Sequence, residues 1–224
     1  VLDRIRYLPG VKSASLVNSP PFGRMFIQGE FSIEGQPKPD FDAGRPKIAA
    51  GYFRTMGIPL LAGREFTEAD TADASKVAIV SERIVRECFP GGPGEALGRR
   101  VRLDGLNDAS EWMTVVGVVA DIRHMGLDRD VQPMIYVPFQ QDRSDFVRLV
   151  SFVARTTTPA TVVEGIRTEI RRAAPDLAIT AAVTMDEAVA ASVAPPRFRM
   201  LVLGLFALAA TLIATCGIYG LMAY

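Results

Sequence analysis

From Met200 to Tyr224 the chain reads MLVLGLFALAATLIATCGIYGLMAY, without one charged residue. Wound as a helix rising about 1.5 Å per residue, a run of roughly 25 residues reaches about 37 Å, more than the roughly 30 Å of a bilayer's hydrocarbon core. Ten of its residues are Leu, Ile, Val or Phe. At roughly −0.3 to −0.6 kcal/mol each they favour insertion by about 3 to 6 kcal/mol, with no ionised group opposing. A core helix usually runs about 8 to 20 residues and ends at a cap, whereas this run carries no stop signal. It is expected to be one transmembrane helix, taken over 197–224, following a folded domain.

The rest of the chain, about 195 of its 224 residues, is enough for one large domain or two small ones. Lys+Arg and Asp+Glu are both 25, so the formal net charge is zero and no basic excess points to nucleic acid. The chain opens at Val1, and Leu2-Asp3-Arg4-Ile5-Arg6 is no secretory apolar region, so a fragment is expected, cut upstream and again within or just after the membrane helix. Of the two cysteines, Cys216 lies inside the apolar run and Cys88 far away in the polar part, which excludes a disulfide-stapled module.

Leu2, Ile5 and Leu8 fall at helical spacing, and Pro9-Gly10 stops that helix. Val11 to Asn18 reads as a strand, as do Phe26 to Glu34 and Lys47 to Ala50; Gly51 to Gly57 is a short helix bracketed by glycines. Ser81 is the expected N-cap of a helix over Glu82 to Phe89. The centre is β-rich, with strands at Arg99 to Leu103, Trp112 to Ile122 and Met134 to Val137. Arg148 to Ala154 is β-prone, Val162, Val163, Ile166 and Ile170 mark a helical face, and Leu177 to Val183 reads as a strand. Met185 to Val193 is a last helix before Pro195-Pro196. Helix, Pro9 and strand 11–17 echo helix, Pro175 and strand 177–183, so an α+β subdomain split by an insertion is expected.

Enzyme signals are poor. His124 is the only histidine, which removes a multi-histidine metal site, and it is expected on a turn after a strand. Gly91-Gly92-Pro93-Gly94-Glu95-Ala96-Leu97-Gly98 lacks the Lys and Ser/Thr of a phosphate loop and reads as a loop. Glu65, Glu68, Asp70 and Asp73 lack the order of a calcium loop and read as solvated charge. No catalytic residue, cofactor or metal is expected. Within the membrane run, Ala210 and Ala214 with Gly217 and Gly220 offer small surface for a close helix neighbour.

Several segments together resemble a known family: Gly51 to Leu61 with Gly63-Arg64-Glu65-Phe66, Val77 to Glu82 with Phe89-Pro90-Gly91, Gly98 to Val101, Val115 to Asp121, Met134 to Pro138, and Gly217 to Met222. The set is similar to the MacB-like periplasmic core domain joined to an FtsX-like permease domain, most closely the large duplicated permeases typical of acidobacteria. The resemblance implies an α+β fold in which a porter-like subdomain (1–60 and 146–194) is interrupted by a β-rich one (61–145). It implies a non-catalytic permease subunit of an ABC-type transporter in the bacterial inner membrane, its soluble domain on the periplasmic side. Such a subunit couples cytosolic ATP hydrolysis to movement of an extracytoplasmic substrate or lipoprotein by mechanotransmission. The implied partners are an ABC-type ATPase subunit, other permease helices or a second permease copy, a periplasmic protein and the lipid bilayer. The alternative is a membrane-anchored ectodomain that senses a ligand or binds a protein.

Arg197 and Arg199 flank the N-terminal end of the run, which the positive-inside rule by itself would place in the cytoplasm. Long domains translocate largely regardless of charge, so the orientation implied by the resemblance is preferred. Pro195 and Pro196 are expected to form, with Arg197, a semi-rigid junction between domain and membrane helix, because proline fixes its own φ and restricts its predecessor.

Overall fold

The computed structural model describes residues 1–23, 26–104, 111–141, 149–179 and 181–222, with the backbone alone at 193–202, 217, 220 and 221. In chain order the elements are α1 (Leu2–Arg6), β1 (Val11–Val17), β2 (Gln28–Gly29), β3 (Phe31–Ile33), β4 (Ala43–Gly44), β5 (Lys47–Ile48), α2 (Tyr52–Met56) and β6 (Leu60–Gly63). There follow β7 (Val77–Ser81), α3 (Glu82–Cys88), α4 (Pro93–Ala96), β8 (Arg100–Leu103), β9 (Met113–Val119), β10 (Ile135–Pro138), β11 (Ser151–Thr156), α5 (Pro159–Ala173) and α6 (Met185–Met222). They divide into two compact units, Val1–Met125 with Arg129–Ala182, and Gly126–Asp128 with Val183–Tyr224.

The first unit is organised by β7, which reads Val-Ala-Ile-Val-Ser and is buried at every position. A strand without polar alternation is stable only when both faces are covered. Here period two sorts its side chains, Ala78 and Val80 into one core cluster and Val77 and Ile79 into a second. Neighbouring β10 divides likewise, Ile135 and Val137 joining the first cluster and Tyr136 the second. Among the described residues the large sheet has the order β11-β1-β5-β10-β7-β9-β8-β3, with β6 also pairing with β9; β2 and β4 form a separate pair. β7 runs parallel to β9 and antiparallel to β10.

β9 has to change phase to serve both clusters. Met113, Val115 and Val118 pack in the first, Val119 in the second with Val116 against it. Strict alternation would put 115 and 118 on opposite faces; a register shift opposite Ala78/Ile79 inserts one extra residue and restores the match. The irregularity brings β9 close to the chain leaving β6. A Cβ on Gly117 would stand 2.4 Å from the Arg64 carbonyl oxygen, and one on Gly63 would stand 2.2 Å from that of Val116.

Several expectations hold and others are corrected. The short helix bracketed by glycines is α2, with Gly51 and Gly57 both left-handed at its ends. The expected strand over Phe26 to Glu34 is two, because Gln28–Gly29 pairs with β4 and Phe31–Ile33 with β8. Leu177 to Val183 forms no strand among its described residues, position 180 lying outside them. Both edges of β1 are taken elsewhere, by β11 along its length and by β5 at Val17, and Leu177 and Val183 are exposed. Residues 146–148 and 223–224, which carry ends of expected segments, lie outside the described residues.

The second unit corrects the expected helix stop. α6 is one helix from Met185 to Met222 that runs through Pro195 and Pro196 rather than ending at Val193. Proline removes the N–H that would bond four residues back, but its φ is itself helical, so the pair weakens the helix without ending it. Among the described residues no helix is long and apolar enough to cross a membrane, so the span expected over 197–224 is not confirmed. Within the uncharged run, contiguous side chains are described only over 203–216, short of the roughly 20 residues a crossing needs.

The β9 account makes a paired prediction. Gly117→Ala is expected to lower stability by more than about 2 kcal/mol, because the backbone in its path cannot move aside. Gly94→Ala, in α4 with open space around its Cβ position, should be neutral or stabilising by up to about 1 kcal/mol. Equal denaturant midpoints for the two variants would show that the close approach at Gly117 is not a constraint.

Candidate functional site

Every residue that the sequence singled out as a site lies on α6, and the helix is built to start firmly. Thr184 and Glu187 form a reciprocal cap: the Glu187 amide donates to Thr184 Oγ1 at 3.2 Å, and the Thr184 amide to the Glu187 carboxylate at 2.7 Å. Those bonds hold the Glu187 carboxyl below its usual range. Pro195, Pro196, Arg197 and Arg199 follow as consecutive turns of helix, so the junction is a stretch of α6 and not a separate connector.

Further along, helical register sets positions 210, 214, 217 and 220 along one stripe. Ala210 and Ala214 are exposed on it. Leu203, Leu205, Phe206, Leu208, Leu212, Ile213, Ile218 and Tyr219 are each more than half exposed and are distributed right round the helix. A helix apolar on every side belongs in a core or in lipid. Its two threonine hydroxyls are already satisfied within the helix, Thr211 donating to the Ala207 carbonyl at 2.8 Å and Thr215 to that of Thr211 at 2.6 Å. Neither needs water.

The folded unit carries polar anchors that composition alone did not mark. Asp70, expected as solvated charge, is buried: both Arg64 terminal nitrogens donate to its carboxylate at 2.8 Å, and the Thr67 amide donates at 2.8 Å. This clasp turns the chain after β6 so that Phe66 enters the second core cluster. Gln141, also buried, accepts from the Val77 amide at 3.0 Å and donates to the carbonyls of Thr71 and Ser75, holding the approach to β7. Ser81 precedes α3 as expected, yet its hydroxyl accepts from the Met134 amide at 3.0 Å. The cap comes from Asp121, whose Oδ1 accepts from the Arg83 amide at 2.8 Å. The conformation of a residue 38 positions away gives no local signal in the sequence.

Chemically the unit offers little for bond making. Among the described residues no three His, Cys, Asp or Glu could share a metal ion. Burial and then the Glu87 charge push the Cys88 thiol up to about 11, away from the thiolate. An open groove of about 420 Å³ is lined by Arg6, Arg54, Glu65 and Glu68 over Ala50, Gly51, Phe66 and Thr67. Arg6 there is held by Glu68 at 3.1 Å and by the Ala50 carbonyl at 3.1 Å. His124, expected on a turn surface, is instead 3% exposed, with its ring 4.9 Å from that of Phe26. The Ser19 hydroxyl and Phe26 come to it from a segment some 100 residues earlier, which no spacing rule reveals.

The profile of the MacB-like periplasmic core domain family matches residues 2–173. Among solved structures, the chain is similar to the periplasmic region of MacB from Actinobacillus actinomycetemcomitans, at 20% identity and a TM-score of 0.54, covering 77% of this chain and 71% of that one. It is also similar to the extracellular domain of the noncanonic ABC-type transporter YknZ from Gram-positive bacteria, at 18% identity and a TM-score of 0.50, covering 73% and 74%. A comparison with curated proteins found no match. At these identities the two structures speak for the fold.

The Asp70 clasp gives the folded unit an acid dependence. Hydrogen bonds from Arg64, then those from Thr67, hold its carboxyl below the usual range. The stability it contributes is present above the ordinary carboxylate value and is lost as pH falls through the lowered one. Urea midpoints measured between neutral pH and about pH 3 should therefore fall less steeply in Asp70→Asn than in the parent. An identical pH profile would show that the clasp does not contribute.

Proposed function

The chain belongs to the MacB-like periplasmic core domain family, and from that premise we propose that it is the non-catalytic extracytoplasmic part of an ABC permease subunit that passes conformational change between a cytosolic ATPase and the periplasm. The observation that carries this reading is the family match across 2–173, the whole folded unit up to the end of α5. Family membership implies an ABC-type ATPase on a partner chain and places the domain outside the inner membrane. The division into a porter-like part (1–60 and 146–194) and an inserted β-rich part (61–145) belongs to the same proposal.

The membrane span is part of it too. The uncharged run Met200 to Tyr224, the exposed apolar side chains all round α6 and the internally bonded Thr211 and Thr215 support a helix that lives in lipid. Ala210, Ala214, Gly217 and Gly220 would then form the stripe on which a further permease helix or a second permease copy packs closely. Pro195 and Pro196 would mark the point where movement of the membrane helix is handed to α6's first turns, because two backbone bonds are missing there.

Two measurements test this. Leu212→Arg replaces a favourable residue by one that costs about 2.5 to 3.5 kcal/mol at a span's centre, so the variant should be extracted from membranes by carbonate while the parent stays. A parent chain that washes off would remove the span. In the assembled transporter, changing Pro195 and Pro196 together to Gly should leave the folded unit's thermal midpoint unchanged and lower transport per ATP. Parental coupling in that double variant would show that the junction transmits nothing.

A further inference from the structure

His124 is buried without a use in the reading above. Its Nε2 lies 3.3 Å from the Ser19 hydroxyl, its ring rests against Phe26, and its Nδ1 has no hydrogen-bond partner. Its carbonyl accepts from the Phe22 amide at 2.8 Å, so one residue ties Ser19 through its side chain and Phe22 through its backbone. Phe22 is the one non-glycine residue at positive φ among those described, at 59°. A bulky residue stays in that conformation only while its surroundings impose it.

From this geometry we propose that His124 is a proton-operated latch: neutral, it pins the Ser19–Phe22 turn against the chain leaving β9, and protonated, it leaves its pocket and frees that turn. Among the described residues the side chains recorded against the ring, Ser19 and Phe26, are uncharged. The charged neighbours on its own segment point elsewhere, Asp121 to Arg83 and Arg86 and Arg123 to the Arg129 carbonyl at 2.8 Å. Burial alone holds the imidazole down, to about 4, and no carboxylate among the described residues offsets a charge there. The sign follows. A histidine that is harder to protonate when folded makes the closed state lose stability as pH falls below the open-state value of 6.5. A compartment outside the cytoplasmic membrane takes up the pH of the surroundings, which gives such a latch something to sense. The latch itself rests on the geometry around His124, and only what it senses rests on the extracytoplasmic placement proposed above.

Because the chain has a single histidine, ring-labelled histidine gives one unambiguous resonance in the full chain in detergent micelles. Two readouts are followed from pH 7 to pH 5: that resonance, and hydrogen exchange at the Phe22 amide corrected for its intrinsic pH dependence. Linkage between values of about 4 closed and 6.5 open predicts a roughly twentyfold rise in corrected Phe22 exchange, with the ring still neutral in most molecules. His124→Phe should abolish the rise; where that variant does not fold, His124→Gln serves the same purpose. A ring that titrates near 6.5 would overturn the burial. A low titration with unchanged Phe22 exchange would mean the ring charges in place, and a rise that persists without the imidazole would assign it to another group; either outcome overturns the latch.

Discussion

The first unit depends on three adjacent strands having no outside face. β10, β7 and β9 lie side by side in the middle of the sheet, and their alternate residues feed two separate clusters. Ile79, Val80, Ile135 and Val118 are all fully buried. Truncating a side chain of that kind to alanine costs about 2 to 5 kcal/mol, since a packed interior relaxes only in part. The same double burial forces β9 to shift phase, and the shift is possible because Gly63 and Gly117 let two backbones approach where a Cβ has no room. One packing requirement thus dictates a bulge, two glycines and the turn that the Arg64–Asp70 clasp then fixes.

This arrangement shows which features were legible in the sequence. The Val-rich strands, the glycine-bracketed α2 and the proline stop after α1 depend on neighbours in the chain, and they appear where local rules put them. Glu187 three residues after Thr184 was equally local, a cap signal present in the letters though not drawn upon. The strand expected over 177–183 failed because pairing is a tertiary decision: β1 found its partner in β11. Asp121, Gln141 and His124 took their roles from residues far off in the sequence, so those roles could not be read locally. The proline pair misled for another reason. Propensity treats Pro as a breaker, yet α6 has a firm cap on one side and a long apolar run on the other, and helix growth between two good segments outweighs two missing bonds.

The proposed role follows from what the folded unit is good at. It lacks a shared metal group among its described residues and an activated thiol, while its centre is doubly packed and its long loops are pinned by buried polar side chains. A body of that kind moves as a piece, because a close-packed interior transmits strain instead of absorbing it. Rigidity is of no special value to a ligand sensor that works by local ordering, but it is what a lever requires.

α6 has the opposite character along its length. Its first turn is capped and carries Asp186 and Glu187, its later turns are apolar on every side, and between them stand Pro195 and Pro196. In a helix the i→i−4 bonds carry bending stiffness, and a proline pair removes two in succession. A bend is therefore least costly at 195–196, ahead of the uncharged run and behind the capped start. A helix anchored in lipid at one end and moved there by a partner's ATP cycle would express that motion first at its weakest bonds. A Gly/Ser tether at the same place would dissipate the displacement, and an unbroken helix would allow no change of angle. Two prolines within a continuous helix keep the two halves connected while leaving the angle between them adjustable, which is the mechanical property the proposed transmission needs.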